Sequence, residues 1–600
     1  MPQSKSKRKK PKKKAPGGGT SPKTQPMITA SARELDSGQG GEAKLAEALE
    51  AFNAQNWRRA LTLLGHYLKD HPTHLKANKM VVAAWFGEAQ PLKAVPAMRI
   101  VAEQEPDNLN GLIRLAHVLI EANELPEAES WLRKALKLAP ENATVLRSLG
   151  AVLRDTGQLK EAVEILKRGV AIDPRPYDME SGLIFCLDFV QDSTTAEQQA
   201  QRRAWVDRWV VPHVTPMRHD PSGQVPDRKI RVGYVSGDFR NHSAARCFGP
   251  VVLNHDRESF EVHLYSASPV YDDLSQRFRA HADGWHPVWR LKEQELFSKI
   301  QEDRIDILVD LSGFTLGNRL GALSGRPAPI QITAWGHAHG VGMPSIDFLF
   351  SDPVCVPEEE RSLFPEEIAD LPCLISFDAP ADAHHPGPLP ARTRGFVTFG
   401  CFNRIVKVTD ESLALFVRVL DAVPDSRIVF KAGDFSKPGV VSHFRTFFAK
   451  AGIAEDRVTL LGDTDRAEHL AAMSSVDIAL DPIPHGGGVT TFETLWQGVP
   501  VVSLYGKSVP GRVSAAILTA CGLPDWVAGS EDDYVALAAA KARDRETLGS
   551  LRSGLRDQVA SSDAVRPGAY VAAVEASYRA MWRRYCATGS PRSRPREGQV

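Results

Sequence analysis

Cysteine is scarce and scattered in this chain: Cys186, Cys247, Cys355, Cys373, Cys401, Cys521 and Cys586 are the only seven in 600 residues, and no two form a CxxC pair. Such spacing builds neither a disulfide framework nor a thiolate zinc site, so reduced, buried thiols are expected. No uncharged apolar run approaches the roughly 18 residues that a membrane helix needs, and no membrane span is expected. The basic first residues are not followed by an apolar stretch, so no secretory signal is read, and the expected location is the cytoplasm. Net charge is also missing. Lys and Arg number 73, as do Asp and Glu, so the field of the whole protein does not favour nucleic acid and no such partner is expected.

What remains is a globular composition, 43% hydrophobic and 24% charged. At this length the usual size prior gives about three or four domains. The first fourteen residues, MPQSKSKRKKPKKK, hold eight Lys or Arg and no acid. With the Gly, Ser and Pro that follow, residues 1–40 read as a disordered basic arm.

A 34-residue period runs through the first third. Pro72, Pro106, Pro140 and Pro174 keep it, and so do Ala60, Ala94, Ala128 and Ala162. The best copy runs from Ala143 to about Arg175, with Leu146, Leu149, Gly150, Leu153, Ala162, Leu166, Gly169 and Pro174. Small and large apolar residues in that order, closed by proline, fit tetratricopeptide helix pairs, about four of them over residues 41–176. One such pair cannot bury its apolar face alone. Stacked pairs make an α-solenoid, and its concave face is expected to take a protein or peptide partner. A further helix, Thr194 to Val210, and a Pro-rich joint fill a linker over 177–227.

From residue 228 short apolar runs alternate with amphipathic stretches, the signature of parallel sheets covered on both faces. IRVGYVS, FEVHLYS, IDILVDLS and IQITAWG lie in a first half, residues 228–395. FVTFGCF, SRIVFKAG, RVTLLGD, VDIALDP and VPVVSLY lie in a second, 396–560, with a closing helix and disordered tail over 561–600. Two tandem α/β halves leave a cleft at their strand carboxyl ends, the usual place for a nucleotide-containing ligand.

Within that cleft the block GGGVTTFETLWQGVP, Gly486 to Pro500, combines a strand, a glycine loop and a helix start. Gly487 and Gly488 let the backbone approach an anion, while unpaired helix amides and the hydroxyls of Thr490 and Thr491 can bind it. Glu493, one turn on, is placed to accept from ribose hydroxyls. The loop FGCFNRIVKVTDES supplies Asn403, Arg404 and Lys407 ahead of a helix that Thr409 or Asp410 could cap, and its lysine suits a diphosphate. In LGDTDRAEHL, Asp465 and Glu468 are spaced as a capping box with His469 in the first turn. That capping explains Asp465, so the DxD made with Asp463 is not read as a metal site. In the first half, His242 of SGDFRNHSAARC stands at a helix start as a candidate acid, base or sugar contact. Asp238 and His337 are weaker candidates.

These blocks, with the repeats, the Asn241–Ser243 NHS and RPAPIQITAWGH (Arg326 to His337), resemble the O-linked N-acetylglucosamine transferase and SPINDLY family over most of residues 41–560. The resemblance implies two Rossmann-like domains in the GT-B arrangement, after the α-solenoid, and transfer of a sugar from a nucleotide donor to Ser or Thr of proteins, with inversion and without metal or cofactor. It implies that Lys407 neutralises the leaving diphosphate, that His469 lies against the nucleoside, that Thr490 and Thr491 hold the diphosphate and that Glu493 meets ribose. It gives His242 a place near acceptor and sugar. The expected donor is UDP-N-acetylglucosamine. The alternatives are GDP-fucose, a CMP-nonulosonic acid with flagellin as acceptor, and a scaffold that binds nucleotide without turnover. Three departures bear on the donor: Val489 where relatives carry His or Thr, Phe314 where many carry His or Tyr, and Arg404 where others carry Gln or Asn.

Overall fold

A computed structural model of the chain describes residues 39–593, apart from 175, 211–215, 223, 316, 338, 381 and 382. Residues 1–38 of the expected basic arm and residues 594–600 of the expected tail lie outside the described residues, whereas Gln39 and Gly40, expected in the arm, already belong to the first helix.

The chain divides into two units, residues 1–106 and 107–600. In the first, helix Gln39–Asn53 pairs with Trp57–Asp70, and Leu75–Gly87 precedes Val95–Gln104. The second opens with two more pairs, Leu109–Glu121 with Leu125–Leu138 and Ala143–Asp155 with Leu159–Ile172. The alanines of the 34-residue period, Ala60, Ala94, Ala128 and Ala162, are all fully buried. The period also carries helix caps. His74, Asn108 and Asn142 each accept from the backbone N–H three residues on, at 3.2, 3.0 and 3.1 Å, satisfying an amide that the helix itself leaves unpaired.

Helix Thr195–Trp209, read from sequence as a link, is part of the α/β core. Its Trp205 and Val206 pack with Val235, Tyr265 and Leu308. Seven strands follow: β1 (Ile230–Ser236), β2 (Phe260–Ser266), β3 (Gly284–Pro287), β4 (Ile307–Asp310), β5 (Ile330–Thr333), β6 (Phe348–Ser351) and β7 (Glu367–Asp370). They form one parallel sheet in the order β3-β2-β1-β4-β5-β6-β7. The second sheet holds β8 (Thr398–Cys401), β9 (Arg427–Lys431), β10 (Val458–Leu461), β11 (Ile478–Leu480), β12 (Val501–Leu504) and β13 (Val527–Ala528), in the order β10-β9-β8-β11-β12-β13. All strand pairs are parallel, and the order in which strands are added reverses between β1 and β4 and between β8 and β11. At those two points the loops diverge and leave a crevice.

Every predicted strand is present, most of them shorter than its apolar run. IQITAWG ends as strand at Thr333, and Trp335–His337 forms a single 3-10 turn. Only glycine fits at Gly336, where a Cβ would lie 1.9 Å from the Leu311 carbonyl oxygen. β3, β6, β7 and β13, two to four residues long, were not predicted. The last long helix, Pro567–Thr588, returns to the first half. Its Tyr578 hydroxyl lies 3.1 Å from that of Tyr234, and its Tyr570 hydroxyl takes a hydrogen bond from Trp335 Nε1 at 2.9 Å.

Candidate functional site

The glycine loop follows β11, at the crevice of the second sheet. Asp481, buried at the strand end, accepts from the Gly487 amide at 2.8 Å and from Ser503 Oγ at 2.9 Å. Burial raises its pKa, which those hydrogen bonds and Lys407 oppose. The Gly487 amide is therefore engaged inside the loop. Helix Val489–Trp496 begins at Gly488 with no side-chain cap, so no side chain satisfies its first amides, which carry the positive end of the helix dipole. The two threonines divide. Thr491 is buried, with Oγ1 2.9 Å from Ser514 Oγ, whereas Thr490 is half-buried. Gly487 packs so closely that a Cβ there would lie 2.2 Å from Thr491 Oγ1.

Lys407 ends a 3-10 turn, Ile405–Lys407, in the loop after β8, the strand beside β11. Its Nζ donates to the Gly486 carbonyl oxygen at 2.7 Å. Burial lowers its pKa to about 8, against the pull of Asp481 and with help from Arg404. A cation kept near neutrality by desolvation gains most when a phosphate arrives. Thr409 is the helix cap, accepting from Ser412 N at 3.3 Å, and it also donates to the Ile483 carbonyl at 3.0 Å. The lysine loop and the glycine loop are thus bonded to each other. Asn403 is buried beside them, its Oδ1 3.3 Å from where a Gly487 Cβ would stand.

A cleft of about 180 Å³ opens beside this arrangement, lined among others by Phe402, Arg404, Lys431, Asp463 and His469. His469 lies in helix Arg466–Ser474, which Asp465 caps by accepting from Glu468 N at 2.8 Å. Burial lowers the His469 pKa, Glu493 opposing and Arg466 assisting. Glu493 itself is 5% exposed. One of its oxygens is 2.6 Å from Arg466 and 3.5 Å from Arg246 of the first half.

From the first half, His242 caps helix Ser243–Val252, with Nδ1 accepting from the Ala244 amide at 3.3 Å and lying 3.4 Å from Asp238. Burial lowers its pKa, with Asp238 opposing and Arg240 and Arg404 assisting. His337 is buried, and its Nε2 has no hydrogen-bond partner among the described residues. Burial holds it well below the usual imidazole range.

Sequence reasoning missed a neighbouring group. His339 Nδ1 lies 3.3 Å from Asp188 Oδ2, and Asp188 Oδ1 takes a hydrogen bond from the fully buried Arg202 at 2.7 Å. Burial raises the Asp188 carboxyl, but Arg202, His339 and His337 hold it below its ordinary value. The ring of His485 is 6.0 Å from that of His339 and stacks on Phe189 at 4.6 Å. Only the HxH of Gly336–Gly340 hinted at this group; its carboxylate partner is 151 residues away. Among the described residues, Asp188, His337 and His339 bring donor atoms within 4.8 Å of one another, as do His263, His286 and Asp303. Arg202 already neutralises the first set. In the second, Lys299 and Tyr265 bind Asp303 at 2.5 and 2.8 Å, so both sets are charge-compensated without an ion.

Comparison with known proteins identifies the family. The family model described as Glycosyl transferase family 41 matches residues 179–377 and 389–574, and a tetratricopeptide repeat model matches residues 102–175. A probable UDP-N-acetylglucosamine–peptide N-acetylglucosaminyltransferase SPINDLY of Arabidopsis thaliana is 33% identical over 69% of this chain and 46% of its own length. Its counterpart from Solanum lycopersicum is 32% identical over 69% and 45%. The chain thus spans about half the length of the curated relatives it matches. A solved structure, a Thermobaculum terrenum O-GlcNAc transferase mutant, is 31% identical, covers 92% of this chain and 98% of that one, and superposes with a TM-score of 0.74. No helix among the described residues is long and apolar enough to cross a membrane. With the family model covering well over half of the sequence, the chain belongs to glycosyl transferase family 41.

Proposed function

We propose that the chain is an inverting, metal-independent protein O-glycosyltransferase that moves N-acetylglucosamine from UDP-N-acetylglucosamine to Ser or Thr of proteins recruited by its repeats. The observation that carries this reading is the meeting of Lys407 Nζ with the glycine loop at 2.7 Å, beside an uncapped helix start and the cleft that His469 lines. A cation, an uncapped helix start and a cleft lined by Phe402, Arg404, Lys431 and His469 are parts that suit a nucleotide diphosphate.

In this reading the diphosphate lies over the start of helix Val489–Trp496, held by Lys407, Thr490 and the first helix amides. Thr491 and Asn403 shape the loop from behind. The nucleoside occupies the cleft with His469 and Arg404, and Glu493 faces its ribose. An acceptor hydroxyl attacks the anomeric carbon through an oxocarbenium-like state as the nucleotide leaves. Orientation and stabilisation of charge on the leaving phosphates supply the rate. No cofactor has a role. Free cysteines, six of them buried, fit a reducing compartment, and we place the enzyme in the cytoplasm.

Thermal-shift titration with UDP-, GDP- and CMP-sugars tests the reading. UDP-N-acetylglucosamine should stabilise the protein most, since ligand at about a hundred times its Kd adds about 2.7 kcal/mol. A preference for a GDP- or CMP-sugar would change the donor. A folded protein that no nucleotide stabilises would leave a repeat scaffold.

A further inference from the structure

The reaction proposed above needs a group that takes the proton from the acceptor hydroxyl. At His242 the Nδ1 meets both the Ala244 amide at 3.3 Å and Asp238 Oδ1 at 3.4 Å; the amide needs a bare Nδ1 and the carboxylate a protonated one, so this pair of contacts does not hold the Nε2 lone pair free.

At His339 no backbone amide competes with the carboxylate for Nδ1 among the described residues. Its Nδ1 points to Asp188 Oδ2 at 3.3 Å, which keeps the proton on Nδ1 and leaves the Nε2 lone pair free. No hydrogen bond engages that Nε2 among the described residues, and the side chain is half-buried. Its mounting is rigid. Gln199 donates to the His339 carbonyl at 2.7 Å, and Arg202 holds the other Asp188 oxygen at 2.7 Å. The group also lies beside the phosphate-binding loops. The neighbouring His485 bonds through Nδ1 to the Gly486 carbonyl at 2.9 Å, the same oxygen to which Lys407 donates.

We infer that His339 is the general base for the acceptor hydroxyl, with Asp188 as its positioning residue, an inference that rests on the transferase reading. The acceptor O–H proton passes to His339 Nε2 while the oxygen bonds to the anomeric carbon. The bond from that carbon to the phosphate oxygen breaks, and its electron pair departs on the nucleotide. The imidazolium then returns its proton to solvent.

The test uses the full chain with UDP-N-acetylglucosamine, reading UDP release with water as acceptor and then with sodium azide, an anionic nucleophile that needs no base. His339→Asn keeps an N–H toward Asp188 but has no base. It should lower release with water by about 10² to 10⁴ fold, the usual yield of general-base catalysis, with azide restoring turnover, glycosyl azide appearing by mass spectrometry and the Kd for UDP unchanged. Should that variant melt early, His339→Gln serves in its place. Release within threefold of wild type overturns the inference, and so does an equal loss with water and azide. If the wild type releases nucleotide from none of UDP-, GDP- or CMP-sugars, the transferase reading fails, and this inference with it.

Discussion

A lysine whose ammonium is desolvated and tied to one carbonyl is a poor contributor to stability and a good partner for an incoming phosphate. Lys407→Ala should lower turnover by about 10² to 10³, comparable to loss of one oxyanion donor, with an unchanged melting temperature. The lowered pKa of Lys407, about 8, sets a pH window. The side chain is charged below that value and neutral above it, so kcat/KM should fall as pH rises through about 8. Lys407→Arg should remove that limb, because guanidinium stays charged. Lys407, Asn403, His469 and Glu493 were legible because each lies in a contiguous motif. Asp188 and His339 were not, since their pairing depends on the linker helices packing onto the first sheet.

At the scale of elements, the glycine loop is organised by what stands behind it. Asp481 takes the Gly487 amide, so Gly487 shapes the loop and the later amides are left to bind an anion. Gly487→Ala would drive a Cβ to 2.2 Å from Thr491 Oγ1, itself bonded to Ser514. Affinity for nucleotide should fall at least about tenfold, about 1.4 kcal/mol, with a smaller loss of stability. Titration calorimetry against UDP beside a thermal melt separates the two effects. The strand, loop and helix order was readable from residues 476–500, but the division of labour between Thr490 and Thr491 was not. It depends on Ser514, which the fold brings in from the next helix.

At the scale of the molecule, the second unit is one body because its last helix crosses back to the first sheet. Trp582 is fully buried there, donates from Nε1 to the Val225 carbonyl at 3.1 Å and lies 4.5 Å from the Arg228 guanidinium. Trp582→Ala should destabilise this unit by about 3–5 kcal/mol, read as a lower urea midpoint. The halves are also joined by the Arg512 fork on Glu360, two bonds of 2.7 Å, and by the 5.0 Å stack of Phe377 on Phe492. The repeats belong to the same scale. Their 34-residue period, visible as proline and alanine in the sequence, reappears as buried alanines and as caps at His74, Asn108 and Asn142.

The sequence by itself determined the order of repeats and α/β halves, most of the strands, and the glycine and lysine loops of the candidate site, because each of these is written in residues close together in the chain. The tertiary structure alone decided that His339 has a carboxylate and an arginine behind it. Asp188, Arg202 and His339 come from three separate segments, and the hydrogen bonds among them exist only after the linker helices have packed onto the first sheet.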